Sequence, residues 1–441
     1  MAKIAILGYG EQGRSAYEYW NNPSAGGSNQ VTICDQSTEV ALPNDVDKHL
    51  GPNHLANLDQ FDVIIRSPSV HPNDIVKANS PDILKKVTTV TNEFMKVAPT
   101  RNIIGITGTK GKGTTSTLIA KMLEAAGLRV HLGGNIGTPP LDLLKQNIQS
   151  DDWVVLELAN FQLIDLKYSP HIAVCLMVVP EHLDWHEDMA DYVRSKLNLF
   201  AHQQTDDIAI YFADNQSSSE IASKSPGKKI PYMQKPGAFV KDDGLIVIDE
   251  EETPVIAKTE VKLLGEHNLQ NVCAAITAYW QTSQDVTAIK KVLTTFSGLG
   301  HRLELVREVN GVKYYDDSFG TTPDTAIVAM KAFKESKVVV LGGSDKGIPF
   351  DKLADEVVNQ DIRQVIAIGD TGPVIAKLLR ERGLANITEG PKTMDDIIAA
   401  AKSAAQPGDV VLLSTGCASF GLFKNYKDRG EQFKKSVDKL S

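Results

Sequence analysis

The sequence predicts an α/β chain made of several parallel-sheet units. Three observations carry that prediction. Near the start, the apolar run Lys3–Leu7 ends in Gly8-Tyr9-Gly10, and Gly13 follows before a helical segment through Ser15–Trp20. A second apolar run, Ile103–Ile106, opens into Gly105-Ile-Thr-Gly-Thr-Lys-Gly-Lys-Gly-Thr-Thr115 and again enters a helix. Beyond Gly298-Leu-Gly300, strand and helix patterns alternate. Strand, glycine turn and helix is the unit of a sheet whose crossovers are helices, and its turns collect at the carboxyl edge where ligands bind.

Taken in order, the first unit has strands at Lys3–Leu7, Val31–Cys34 (ending at Asp35) and Phe61–Arg66 (ending in Ser67-Pro-Ser69). Its Gly8-x-Gly10-x-x-Gly13 spacing, with an acid after the next strand, fits a nucleotide fold. The same spacing serves a βα turn with no ligand, and an NAD dehydrogenase is the obvious active reading. The middle unit has strands at Ile103–Ile106, Arg129–Leu132, Trp153–Leu158, Ile172–Val179 and Ile208–Phe212, and helices at Thr114–Ala126, Asp188–Phe200, His267–Tyr279 and Thr287–Phe296. Short strands with Gly/Asp turns fill about 215–265. Gly298–Gly300 reads as a linker. The last unit has strands at Lys313–Tyr315, Lys337–Leu341, Gln364–Ile368 and Asp409–Leu413, separated by helices, and reads as a second parallel unit.

Bulk properties narrow the function. A chain of 441 residues exceeds the ~250–300 residues one core sustains, so several domains are expected. Its net charge of −9 disfavours nucleic acid as a partner. Cys34, Cys175, Cys273 and Cys417 are scattered without metal or redox spacing and are expected to be reduced and buried. The opening MAKIAILGYG does not read as a signal peptide, and no run approaches the ~20 apolar residues of a membrane span. A cytoplasmic location with no membrane partner is expected, with the chain a monomer.

The 105–115 stretch has the context of a phosphate-binding loop. Gly108 and Gly111 let backbone N–H groups turn onto phosphate oxygens, and the helix N-terminus adds a favourable field. Lys112 reaches terminal phosphates, while Thr109 and Lys110 complete the turn. Gly113 stands where a hydroxyl residue usually follows the lysine, which moves the magnesium hydroxyl to Thr114, with Thr115 as the fallback. Glu157, near a strand end, faces the same crevice, and hard carboxylate oxygens suit Mg²⁺. A solvated strand end is the plain alternative for Glu157. Pro180-Glu-His-Leu-Asp-Trp-His-Glu187 holds Glu181, His182, Asp184, His186 and Glu187; zinc on His182 and His186 lacks a third ligand by spacing, and a magnesium and phosphate role for His182 is preferred.

These motifs together resemble the Mur ligase superfamily, ATP-dependent enzymes that form amides. The loop Gly108-Thr-Lys-Gly-Lys-Gly-Thr-Thr115 is similar to the family's GT-x-GK-[ST]-T. Its Gly-Lys-Gly-Thr variant resembles the folylpolyglutamate synthase branch. The rest of the chain resembles the branch that adds D-glutamate to UDP-N-acetylmuramoyl-L-alanine. The resemblance implies three domains: a Rossmann-like UDP-binding domain at 1–93, a central P-loop ATPase domain at 94–298 and a Rossmann-like amino-acid-binding domain at 299–441.

It implies roles residue by residue. Gly10, Asp35, Ser67 and Ser69 match the UDP-binding block, and Asn135 in Gly134-Asn-Ile-Gly137 matches the contact to the muramoyl substrate. Glu157 and His182 match magnesium-site residues. Lys196 matches a lysine that is carbamylated and helps hold a second Mg²⁺; read alone, Lys196 is a solvated helix lysine. Asn268 and Asn271 match an adenine-side motif. Arg302 in Gly300-His-Arg302 and Asp317 in Asp316-Asp-Ser318 match groups that order ATP. Lys346, Ser419 and Phe423 match amino-acid contacts, and 423–433 is characteristic of the D-glutamate-adding branch. The chain departs from the family at Phe319, where lysine usually follows Asp-Ser, and Gly320-Thr-Thr-Pro-Asp324 drifts toward the diamino-acid-adding relatives. A muramyl ligase for L-glutamate or a diamino acid is therefore the alternative, ahead of a folylpolyglutamate synthase-like enzyme. A dehydrogenase leaves the 105–119 loop, Glu157 and Lys196 without a purpose. A binding protein without turnover follows only if Gly113 abolishes magnesium binding.

Overall fold

The computed structural model describes residues 1–22, 29–135, 137–183, 185–263, 265–345 and 347–441, and the backbone alone at 267. The chain divides into two units, Met1–Lys262 with Glu266–Phe296, and Leu263–Gly265 with Ser297–Ser441. The second break falls beside the Gly298–Gly300 linker.

The first unit holds two parallel sheets. One has the order Asp47–Leu50, Gln30–Asp35, Lys3–Leu7, Val63–Arg66, Val87–Thr88. The other has the order Lys228–Tyr232, Ile208–Phe212, Ile172–Cys175, Ile103–Thr107, Trp153–Glu157, Val130–Gly134. Its middle strands are buried along their whole length, the unbroken apolar pattern of strands covered on both faces. In this register Ile106 pairs with Glu157, Thr107 with Cys175, and Gly134 with Glu157. Their carboxyl ends therefore meet at one edge. A small antiparallel sheet, Phe239–Val240, Leu245–Ile248 and Thr253–Ala257, accounts for the short strands expected there.

The two parallel sheets of this unit share a core. Ile4, Ile6 and Ile65 from the first join Phe94, Val154 and Leu156 in one buried cluster. Arg66 fastens the join. Its side chain is fully buried, pairs twice with Asp165 at 2.6 and 2.7 Å, and donates to the carbonyls of Ser67, Val70 and Phe161. Every strong donor direction of the guanidinium is thus used, as a buried charge requires.

The second unit has the order Glu304–Val309, Val312–Asp316, Val410–Leu413, Lys337–Gly342, Ile362–Ile368, Ile387–Glu389. It is parallel except for the first pair, which is antiparallel. This edge strand departs from the all-parallel expectation. Glu304, Arg307 and Glu308 make it charged and largely solvated, so it lacks the apolar run that marks the inner strands. No helix among the described residues is long and apolar enough to cross a membrane. All four cysteines are buried free thiols.

Candidate active site

The candidate phosphate loop lies between the strand Ile103–Thr107 and the helix Lys112–Ala125, whose N-cap is Gly111 with φ +88°. The helix starts two residues earlier than its apolar pattern suggests, so Lys112 is its first residue. Gly111 is required there twice over. Its φ is left-handed, and a methyl group on it would overlap Asn271 Oδ1 and come within 2.9 Å of Asn271 Cγ. Asn271 therefore sits against the loop, donating to Asn268 Oδ1 at 2.8 Å. Of the two residues matched to an adenine-side motif, Asn271 thus lies beside the turn and Asn268 is bonded to it.

Lys112 Nζ donates to the carbonyls of Gly108 and Thr109 at 3.0 Å each. Thr109 locks the turn: its hydroxyl lies 3.0 Å from Val179 O and 3.0 Å from Tyr192 Oη. Lys110 is ion-paired with Glu181. The Thr115 hydroxyl is buried with no hydrogen-bond partner, while Thr114 is 5% exposed. A buried hydroxyl without a partner is costly unless something completes it.

Glu157 ends its strand 3% exposed, so it is not a solvated strand end. Its Oε1 accepts from Asn135 Nδ2 at 3.1 Å, and its carbonyl accepts from Asn135 N at 2.7 Å. Asn135 and Glu157, matched by resemblance to a muramoyl contact and a magnesium-site residue, are thus hydrogen-bonded neighbours. His182 has φ +58°, and its ring packs 4.8 Å from that of Phe161. His186 serves differently: Nε2 accepts from Asn160 at 2.8 Å and Nδ1 pairs with Asp191 at 2.7 Å. Both ring nitrogens are used, which leaves none for zinc. Asp184 lies outside the described residues.

Lys196 overturns its reading as a solvated lysine. It is fully buried, 3.4 Å from Gly108 O and 4.4 Å over the Tyr192 ring. Burial and the nearby Lys112 ammonium push its pKa down to about 7. A neutral amine is therefore accessible near neutrality.

In the first sheet, Asp35 Oδ2 accepts from Tyr9 N at 2.7 Å and Oδ1 from Ser37 N at 2.9 Å. Ser67 Oγ donates to Gly8 O at 2.8 Å, and Ser69 Oγ lies on the same side of Gly8. Gly10 faces open space. Gly10, Asp35, Ser67 and Ser69 thus rim one turn.

In the second unit, Asp317 is 5% exposed and accepts from Ser414 Oγ at 2.6 Å and Leu303 N at 3.2 Å. Burial pushes its pKa up to about 7. Arg302 lies 5.7 Å from the Phe319 ring. Ser419 is buried, and Phe423 is packed in the core with Val340, Leu413 and Phe433. Lys346 lies outside the described residues. Sequence reasoning missed a polar hub behind Asp317. Fully buried Arg429 bonds Ser318 Oγ at 2.8 Å, Ser318 O at 2.7 Å and Cys417 O at 3.1 Å. His301 Nδ1 pairs with buried Asp316 at 2.7 Å. Gly430 lets this happen, since a methyl there would overlap His301 Nδ1. His301, Glu304 and Asp316 bring ligand-type atoms within 4.8 Å of one another, but Lys434 already neutralises Glu304 at 2.8 Å. The signal was the Lys427-Asp-Arg429-Gly430 run, whose arginine and glycine have no role on a solvated helix.

Comparison with known proteins decides the family. The Mur ligase middle domain matches residues 106–279, and the Mur ligase glutamate ligase domain matches residues 301–417. The UDP-N-acetylmuramoylalanine–D-glutamate ligase of Acetivibrio thermocellus is 36% identical over 99% of this chain and 96% of its own length. The chain belongs to the Mur ligase family. The enzyme of the same name from Symbiobacterium thermophilum is 40% identical over 77% of this Mur ligase and 76% of its own length. Among solved structures, UDP-N-acetylmuramate–alanine ligase from Thermotoga maritima is similar with a TM-score of 0.62 at 17% identity, covering 99% of each chain. At that identity the likeness concerns the fold, and it supports the three-domain α/β architecture of the family.

Proposed function

We propose that this Mur ligase joins D-glutamate to UDP-N-acetylmuramoyl-L-alanine in an ATP-dependent, ADP-forming reaction through an acyl phosphate. The carrying observation is the edge where the phosphate loop, Glu157 and Lys196 meet, in a chain whose end-to-end relative bears the D-glutamate ligase name. That relative also favours D-glutamate over L-glutamate or a diamino acid, despite Phe319. The three domains divide the work: 1–93 for the UDP moiety, 94–298 for ATP and 299–441 for the amino acid. The location that suits this chemistry is the cytoplasm.

Loop N–H groups and Lys112 hold the terminal phosphates. Mg²⁺, when bound, supplies charge neutralisation for the transferring phosphoryl. Glu157, His182 and a Thr114 or Thr115 hydroxyl would hold it. The fit rests on hard oxygen donors and on the unpartnered Thr115 hydroxyl. An ammonium at Lys196 does not suit a cation site. Its neutral amine can add CO₂, losing one proton, to become a carbamate anion that suits a second ion. Gly10, Asp35, Ser67, Ser69 and Asn135 orient the UDP-substrate so that its carboxylate meets the γ-phosphate. Arg302 and Asp317 order ATP, Asn268 and Asn271 line its site, and Lys346, Ser419 and Phe423 shape the amino-acid site. The amine then attacks the activated carbonyl and phosphate leaves. Water must be kept from the acyl phosphate.

The test is phosphate release from ATP with UDP-N-acetylmuramoyl-L-alanine, screened over D-glutamate, L-glutamate and diamino acids. Release that depends on D-glutamate supports the reading. Release only with another amino acid reassigns the acceptor, and no release with any of them ends the ligase reading.

A further inference from the structure

Phe319 stands where the family resemblance implies a lysine, and the site account above gives it no task. The structure fixes it closely. Its backbone N donates to His301 O at 2.8 Å. The preceding Ser318 is held by Arg429 at both Oγ and O, and its hydroxyl donates to Tyr426 O at 2.8 Å. The Phe319 ring meets Tyr426 edge-on, 5.2 Å between centroids at 89°. The Arg302 guanidinium lies 5.7 Å from its centroid, inside the range of cation–π attraction. Arg302 also contributes to the field at Asp317. A lysine at 319 would set a second cation beside Arg302; the phenyl ring instead offers a negative face.

We propose that Phe319, braced by Tyr426, is a positioning residue that holds the Arg302 guanidinium in one orientation. The inference rests on the reading that Arg302 serves ATP. It explains how the chain does without the lysine: the local charge is one well-oriented guanidinium rather than two cations that repel.

A four-variant comparison tests it, with steady-state kinetics on the full chain and thermal melting as a fold check. Arg302→Ala should lose most turnover. Phe319→Leu keeps apolar bulk but removes the π face, and should lower kcat about two- to fivefold, the span of an exposed cation–π contact. Its KM for D-glutamate should not change. Phe319→Tyr restores the ring and should restore kcat. In the Arg302→Ala background, Phe319→Leu should cost nothing further. If Phe319→Leu melts below the assay temperature, Phe319→Met removes the same π face. A wild-type kcat for the ring-less variant overturns the inference, as does the same loss with and without Arg302. A raised KM for D-glutamate at unchanged kcat also overturns it, since Phe319 would then touch the amino acid itself. A fully active Arg302→Ala is a different failure: it removes the nucleotide role of Arg302.

Discussion

Gly111→Ala is the sharpest local perturbation of the phosphate loop. Two costs can be worked from the structure. Gly111 has φ +88°, and an alanine held in the left-handed region costs roughly 1–2 kcal/mol. The new methyl overlaps Asn271 Oδ1 and lies 2.9 Å from its Cγ, so Asn271 must rotate and give up its hydrogen bond to Asn268. That loss costs about 0.5–1.5 kcal/mol. The expected total is about 1.5–3.5 kcal/mol, with ATP KM raised because Lys112 begins the helix that Gly111 caps. Urea unfolding followed by tryptophan fluorescence reads this cleanly, because Trp20, Trp153, Trp185 and Trp280 all lie in the first unit. In an Asn271→Ala background only the φ cost should remain, about 1–2 kcal/mol. A Gly111→Ala chain within about 0.5 kcal/mol of wild type, with unchanged ATP KM, would refute the claim that backbone and Asn271 jointly demand glycine.

Other outcomes follow from the same geometry. Arg66→Met should destabilise the first unit by about 3 kcal/mol, because it strands Asp165 beside a buried join; a urea midpoint near wild type would contradict the role given to Arg66. Asp317 has a folded pKa raised to about 7, so the folded state keeps a proton that the unfolded chain releases from about pH 4 upward. That stabilisation is complete below about pH 4 and lost as pH rises through 7. Asp317→Asn should therefore stabilise the second unit at pH 8 relative to wild type and lose that advantage by pH 4, as read by hydrogen exchange over Val312–Asp316. For unmodified Lys196, with its pKa lowered to about 7, the ammonium penalty is full below pH 7 and fades toward pH 10. In bicarbonate-free buffer, Lys196→Met should be the more stable form at pH 6 by urea denaturation, the gap closing toward pH 10, and should have no turnover. Lys112→Ala should bind UDP-substrate normally in calorimetry yet release no phosphate; normal turnover would remove the loop from the chemistry.

The phosphate loop was legible because its glycines and lysines answer to one physical demand, a backbone curled around anions. The inner strands were legible for their apolar runs. The antiparallel edge strand Glu304–Val309 was not, since Glu304, Arg307 and Glu308 hide its period behind charge. Lys196 shows a signal that local reading overlooked. Tyr192, Lys196, Leu199 and Phe200 share one buried helical face, and a lysine inside such a stripe is not solvated. The hub of Arg429, Ser318, His301 and Asp316 could not be assembled from sequence, because it joins positions more than a hundred residues apart. Of the residues the family resemblance singled out, Asn271 sits against Gly111 and Asn135 bonds Glu157, yet the resemblance gave no hint that the Arg302 guanidinium would lie 5.7 Å from the Phe319 ring.

The central claim is that the Gly108–Thr115 loop serves to phosphorylate a carboxylate. UDP-N-acetylmuramoyl-L-alanine labelled with ¹⁸O in its alanyl carboxylate tests it directly. During turnover with ATP and D-glutamate, one labelled oxygen should appear in the released phosphate and the other in the new amide carbonyl. Label in AMP, or none in phosphate while amide accumulates, would contradict the account.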